Sequence, residues 1–253
     1  MESIIHQTQT PVEVILVDDG SADETPHVLR EIEAQYPGWV KVVLLNENSG
    51  PACARNAGWS VATQPYIAFL DADDSWHSDK LHIQYEYMKI NADVVLCGHQ
   101  CIRFDKAGAH SQLVGRLRET EIKSIGLLFR SAFSTPTVML KRDIPFRFSQ
   151  GKRYAEDFLL WQQIAFAGLR AVRLEIPLAY IYKPFYGSQG LSSAMWKMER
   201  GELDNFVVLY RSGAIGVALY FYAVIFSVFK FFIRSLKVSW VRAKSAWLGT
   251  QMG

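Results

Sequence analysis

The chain has 253 residues, 49% of them apolar and 21% charged. That balance excludes an intrinsically disordered chain, and the length suits one large domain or one domain with an appendage. The 27 basic and 25 acidic residues leave a net charge of +2, too little for a whole-chain nucleic-acid footprint.

The charge is unevenly spread. Residues 213–253 hold Lys230, Arg234, Lys237, Arg242 and Lys244 and no acid. That segment carries +5, so the whole-chain +2 leaves −3 on residues 1–212. Three cysteines cannot make a fully paired disulfide framework, which predicts a reducing compartment. Glu2 stands where a signal peptide carries positive charge, and no long apolar core follows, so no secretory leader is expected.

In chain order, residues 12–17 form a short β-branched run and predict a buried strand. Asp18-Asp19-Gly20-Ser21 ends it. Thr25-Pro26 opens a helix whose apolar face is Val28, Leu29, Ile32 and Tyr36, closed by Pro37-Gly38. A second strand is predicted over 40–45, a helix over 52–63 and a third strand over 66–70, ending in Asp71-Ala72-Asp73-Asp74. A helix capped by Ser78 runs to about Asn91, and a fourth strand covers 94–97. Strands alternating with helices predict an α/β fold, a mostly parallel sheet with helices on both faces. Beyond it, helices are expected at 122–133 and 156–167, and a strand broken by Pro177 at 171–182.

In an open α/β sheet, ligands sit beyond the carboxyl ends of the strands. Asp18-Asp19 and Asp71-x-Asp73-Asp74 both lie there. Turn and capping roles are the alternative for either cluster alone. Three carboxylates within a few residues repel one another unless a cation sits among them. Oxygen donors of this kind suit Mg²⁺ or Mn²⁺, which also bind substrate phosphates.

The ordered set Val17-Asp18-Asp19-Gly20-Ser21, Asn48-Ser49-Gly50, Ala54-Arg55-Asn56-Ala57-Gly58, Phe69-Leu70-Asp71-Ala72-Asp73-Asp74 and Glu156-Asp157-Phe158-Leu159-Leu160-Trp161 resembles family 2 glycosyltransferases of the GT-A fold. The resemblance spans roughly residues 4–182. It implies that Asp18 and Asp19 contact the uracil and ribose of a nucleotide sugar. Arg55 would face the nucleotide or diphosphate, and Asp71 and Asp73 would form the Asp-x-Asp pair. Asp73 and Asp74 would lie nearest the metal, which is Mn²⁺ or Mg²⁺. Asp157 would be the catalytic base, with Glu156 beside it. After the core, Lys183 is a candidate phosphate contact on a closing loop; a plain connector is the alternative. Trp161 is expected to pack rather than stack on an acceptor.

The resemblance also implies a strand and loop ahead of the helix that ends in Ile4-Ile5-His6-Gln7-Thr8. The GT-A-like domain, residues 1–190, is therefore expected to be N-terminally incomplete. The Gln-x-x-Arg-Trp signature of processive members is not found, which favours single-sugar addition. The implied activity is an inverting, non-processive, metal-dependent transfer from a nucleotide sugar, a UDP-sugar foremost. The acceptor would be a saccharide or lipid-linked saccharide in cell-surface polysaccharide or lipopolysaccharide assembly. A non-catalytic, membrane-associated remnant and a nucleotidyltransferase are the competing classes.

Residues 191–253 predict a helical, membrane-associating region. Ser212 to Phe229 runs without a charge, near the lower limit for a span. Lys230, Arg234 and Lys237 then recur at helical spacing among aromatic residues. An amphipathic helix on an anionic membrane surface at the cytoplasmic face leads. A single span and a buried hairpin or oligomer interface are the other readings.

Overall fold

The computed structural model describes residues 1–103, 118–182 and 195–250, with side chains to residue 236. Lys183 lies outside the described residues. A short helix α1 (Glu2–Ile5) leads to strand β1 (Val14–Asp18), helix α2 (Thr25–Gln35), strand β2 (Val40–Leu44) and helix α3 (Pro51–Val61). Strands β3 (Tyr66–Ala68) and β4 (Asp74–Trp76), helix α4 (Lys80–Ile90) and strand β5 (Val94–Arg103) follow. Next come β6 (Glu119–Glu121), β7 (Met139–Lys141), helix α5 (Glu156–Phe166), β8 (Arg170–Ile181), α6 (Met195–Arg211) and α7 (Val217–Thr250).

The β1–β2 pair is parallel, from Val14 opposite Val40 to Asp18 opposite Leu44. The remaining strands run β3-β7-β5-β8-β4, with β6 beside β8. Here β5 and β8 are parallel, while β3–β7, β5–β7, β4–β8 and β6–β8 are antiparallel. The sheet is thus mixed rather than mostly parallel. A parallel neighbour needs a crossover of a dozen residues or more, usually helical. No α-helix is assigned among the described residues between β6 and β7, and β7 slots antiparallel between β3 and β5.

Helices cover both faces, as the alternating pattern implied. In β7, Leu140 joins one apolar cluster and Met139 the other. In β3, Ile67 and Tyr66 divide the same way. One face carries Trp59 of α3 and Phe158, Trp161 and Ile164 of α5. The opposite face carries Ile32 of α2 and Leu81 and Met88 of α4. Trp161 is fully buried, edge-on to Phe133 and Phe148, so it packs.

Among the described residues, β1 pairs only with β2 and β3 only with β7. The hydrogen-bonded sheet is therefore in two pieces. One carboxylate ties the chain before each: Glu13 Oε1 accepts Thr63 N–H at 2.7 Å and Gln64 N–H at 3.0 Å.

Two other expectations change. The helix foreseen at 122–133 is a short 3₁₀ turn, Ser124–Leu128. Gly126 weakens a longer helix, and the adjacent Leu127 and Leu128 are both buried, in different clusters. Around Pro177, β8 does not break; it bulges, passing from Leu174 opposite His99 to Pro177 opposite Gln100. A bulge tolerates a residue with no N–H.

The C-terminal helices pack as a pair. Phe206, Leu209, Ile215 and Ala223 form their own apolar cluster with Leu128. Ser227 Oγ donates to Glu199 Oε1 at 2.8 Å, Lys230 Nζ meets Glu202 Oε2 at 2.8 Å, and Arg234 Nη2 lies 3.4 Å from Glu199 Oε2. Lys230 and Arg234, two of the five basic residues of α7, thus face acids of α6. The apolar residues are turned outward: Phe221, Tyr222, Ile225, Phe229, Phe232 and Leu236 are all exposed. Residues 217–236 are long and apolar enough to cross a membrane.

Candidate active site

At the carboxyl end of β1 the chain turns sharply. Asp18 is buried, and its Oδ2 accepts Ser21 N–H at 3.0 Å. Asp19 grips the next loop: Oδ1 accepts Ser49 N–H at 2.9 Å and Oδ2 accepts Gly50 N–H at 2.8 Å. Both oxygens of Asp19 thereby anchor the Asn46–Gly50 loop. Gly20 has φ 71°, and a Cβ there would lie 2.5 Å from the Glu47 carbonyl carbon; only glycine fits. Arg153 Nη2 closes the loop from the other side, donating to Asn48 Oδ1 at 2.8 Å.

Arg55, on α3, is the hub. Its Nη2 donates to Asp71 Oδ1 at 3.0 Å and its Nη1 to Glu156 Oε1 at 2.8 Å. The planar guanidinium suits such a forked pairing. One residue thereby joins the acidic cluster after β3 to the acids that open α5. Asn56 braces the same helix: its Nδ2 donates to Phe148 O at 2.7 Å, and its Oδ1 accepts Phe148 N–H at 3.1 Å.

Glu156 and Asp157 occupy the first turn of α5, where the helix dipole favours negative charge. The residue before them, Ala155, has φ 54°, the one described non-glycine residue with positive φ. That costs of order 1 kcal/mol and sets the start of α5, where Glu156 meets Arg55 at 2.8 Å. Glu156 is buried. Burial raises its pKa and Asp157 adds to the rise, while Arg55 opposes both. Asp157 is partly exposed, its Oδ2 accepting Thr135 Oγ1–H at 3.0 Å and its Oδ1 the N–H of Phe158 at 2.7 Å. Burial works against the charge of Arg55, but Asp71, Asp157 and Glu156 outweigh it and hold its pKa above the ordinary value.

Asp71, Asp73 and Asp74 each place a carboxylate oxygen within 4.8 Å of the others. Arg55 meets Asp71 and Glu156 directly and feels the charge of Asp157, which ties this cluster to the acids of α5. The three clustered carboxylates form an all-oxygen donor set, as Mg²⁺ or Mn²⁺ requires. The residues present therefore fit a divalent metal.

The structure brings Arg55, Asp71, Glu156 and Asp157 into one connected group and places Asp18 and Asp19 at the neighbouring strand end. Thr135 and Arg153 join the site without any sequence signal. Thr135 sits in a second 3₁₀ turn, Thr135–Thr137, and only folding brings it to Asp157.

The model of the family described as "Glycosyl transferase family 2" matches residues 1–149, more than half of the chain. The chain belongs to glycosyl transferase family 2. Among curated relatives of this family 2 chain, a "putative teichuronic acid biosynthesis glycosyltransferase", TuaG of Bacillus subtilis, is 43% identical over 88 residues, covering 35% of this chain and 34% of TuaG. The succinoglycan biosynthesis protein ExoO of Rhizobium meliloti is 29% identical over 205 residues, covering 74% of this chain and 57% of ExoO. The chain thus spans between a third and just over half of these two relatives. The crystal structure of TarS residues 1–349 from S. aureus matches with a TM-score of 0.61 at 17% identity, over 90% of this chain and 65% of that one. The mannosyltransferase PcManGT of Pyrobaculum calidifontis, in complex with GDP-Man and Mn²⁺, matches with a TM-score of 0.60 at 17% identity, over 98% and 74%. These likenesses show a shared GT-A-like fold.

Proposed function

We propose that this chain is an inverting, non-processive glycosyltransferase that moves a sugar from a nucleotide sugar, a UDP-sugar foremost, to a saccharide or lipid-linked acceptor. The observation that carries the reading is the Arg55 fork, which joins Asp71 to Glu156. It couples the donor-side acids to the acceptor-side acids. TarS has been crystallised with UDP-GlcNAc and PcManGT with GDP-Man and Mn²⁺, which supports a nucleotide-sugar donor for the shared fold. TuaG and ExoO are named for surface-polysaccharide synthesis, which supports that setting here.

Asp18 reads the base and ribose, while Asp19 holds the Asn46–Gly50 loop against them. A divalent ion held by Asp73 and Asp74 would supply Lewis acidity at the diphosphate. Arg55 orients Glu156, whose burial and ion pair suit positioning rather than proton transfer. Asp157 takes the proton of the acceptor hydroxyl. The acceptor oxygen bonds to the anomeric carbon as the bond to the diphosphate oxygen breaks. One displacement inverts the centre. Lys183 serves as a phosphate contact.

Residues 1–190 carry this chemistry and residues 191–253 seat it on the cytoplasmic face of the membrane. With Lys230 and Arg234 engaged by α6, the outward apolar half of α7 makes the main contact. The acidic balance of the body and the basic C-terminal segment set the orientation.

Calorimetric titration of the chain with UDP, with and without Mn²⁺, tests the donor site. Binding that needs Mn²⁺ and is lost in Asp73→Ala is the expected result. A folded chain that binds no UDP under either condition would overturn it.

A further inference from the structure

Helix α5, which opens with Glu156 and Asp157, is held at two places by elements that also dock α7. The first is its N-terminus. Asn205 of α6 is fully buried, and its Nδ2 donates to Ala155 O at 3.0 Å. The same carbonyl accepts Leu159 N–H at 3.1 Å, the first bond of α5. One turn earlier on α6, Gly201 lies so close that a Cβ would meet Tyr154 O at 2.6 Å, and Lys152 Nζ donates to Gly201 O at 2.8 Å. A flanking face of α6 carries Glu199 and Glu202, which take Ser227, Lys230 and Arg234 of α7.

The second hold lies mid-helix. Gln162 of α5, fully buried, donates to Leu127 O at 2.9 Å. The chain just beyond presents Phe129 to α7, with ring centroids 4.9 Å from Phe226 and 5.5 Å from Tyr222. Both connections end on the same helix, and each is specific: buried amides, a close backbone approach and an ion-pair latch.

At about 3.6 residues per turn, the exposed residues of α7 from Phe221 to Leu236 cover half of the helix with no charge among them. That half is wider than a coiled-coil seam needs and suits a bilayer face. In water most of that half faces solvent; on a bilayer it would face hydrocarbon.

We propose that bilayer contact by α7 is transmitted through α6 and the 3₁₀ turn to α5, so that seating on a membrane orders the strained Ala155 turn and sets Glu156 and Asp157 in place. Asn205 is then a positioning residue, acting through Ala155. The inference rests on the membrane reading given above.

The test follows amide exchange of Leu159 in the full chain, with and without phosphatidylcholine–phosphatidylglycerol vesicles, while sedimentation reports binding. We expect the wild-type chain to sediment with vesicles and Leu159 exchange to slow about tenfold, a change typical of tightened local opening. Asn205→Ala should still sediment but lose the slowing. Wild-type chain that sediments with no change at Leu159 would overturn the coupling and leave the membrane reading standing. Chain that does not sediment would overturn both. Slowing that persists in Asn205→Ala would overturn the role of α6. If that variant does not fold, the wild-type comparison alone still decides the coupling.

Discussion

Arg55 and Glu156 stand 101 positions apart in the chain and meet at 2.8 Å. With Asp71 on the other branch of the guanidinium, they form a mostly buried ionic group at the carboxyl end of the sheet. Its physical meaning is that neither acidic cluster can be set without the other. Removing one partner of such a group leaves a buried charge uncompensated.

Arg55→Met should therefore lower stability by about 3 kcal/mol, read from urea unfolding at neutral pH. Adding Glu156→Gln should recover part of that loss, with a coupling of roughly 1–3 kcal/mol. Additive losses would show that the pair contributes little beyond its separate parts.

The two acids of α5 should separate by kinetics. Asp157→Asn removes the proton acceptor and should cut turnover about 10²–10⁴-fold with little change in UDP affinity. Glu156→Gln keeps the size and one acceptor for Arg55, so a smaller loss is expected, spread over KM and turnover. Single-turnover sugar transfer together with UDP titration measures both. Equal losses in the two variants would reverse the assignment of the base.

How much of this was legible in the sequence varies with the physics behind each feature. Asp18, Asp71 and Asp157 could be placed because strand ends and helix starts are local events, marked by apolar runs and punctuating residues. Thr135 was not legible, since its meeting with Asp157 depends on tertiary packing of a 3₁₀ turn. Strand β7 has only three residues, too few for a period, so the mixed sheet went unforeseen. The spacing of Lys230 and Arg234 did show that they share a helix face. It could not show that Glu199 and Glu202 occupy that face, because α6 reads as polar on its own and its acids lie 28 and 35 residues away from their partners.

Gly20 offers a test of the donor loop. Its φ of 71° and the 2.5 Å approach to Glu47 leave no room for a methyl group. Gly20→Ala should cost about 1–3 kcal/mol and push the Asn46–Gly50 loop off Asp19. UDP affinity should fall together with thermal stability. A variant with unchanged UDP affinity would show that this loop does not shape the nucleotide site.

Lys80 provides a pH-dependent prediction away from the site. Its ammonium is fully buried, 3.9 Å from the centre of the Trp76 ring. Burial lowers its pKa to about 7 from the ordinary 10.5, with Cys97 opposing weakly. Nearby, burial and Lys80 depress His99 to about 3, so that imidazole stays neutral across the range considered. Between pH 7 and 10 the unfolded chain then binds more protons at this lysine than the folded chain. Stability contributed by this group rises with pH over that window and is lowest below it. Lys80→Met should stabilise the protein at pH 6.5, and its advantage should shrink steadily toward pH 10. Chemical denaturation of both proteins across that range gives the difference directly, and a constant difference would mean that Lys80 stays charged throughout.

The outward half of α7 sets the last prediction. Were membrane attachment driven by charge, Lys230→Gln and Arg234→Gln would weaken it and salt would abolish it. The structure pairs both residues with acids of α6, so those substitutions should loosen the helix pair more than the membrane contact. Phe221→Asp and Phe232→Asp instead place a charge on the exposed apolar half, where burial against hydrocarbon costs about 2–4 kcal/mol. Each should cut vesicle binding at least tenfold, and 0.5 M salt should reduce wild-type binding only in part. Deleting residues after Arg211 should release the protein into the soluble fraction altogether. If the aspartate variants sediment like the wild-type chain, the apolar half of α7 faces something other than lipid.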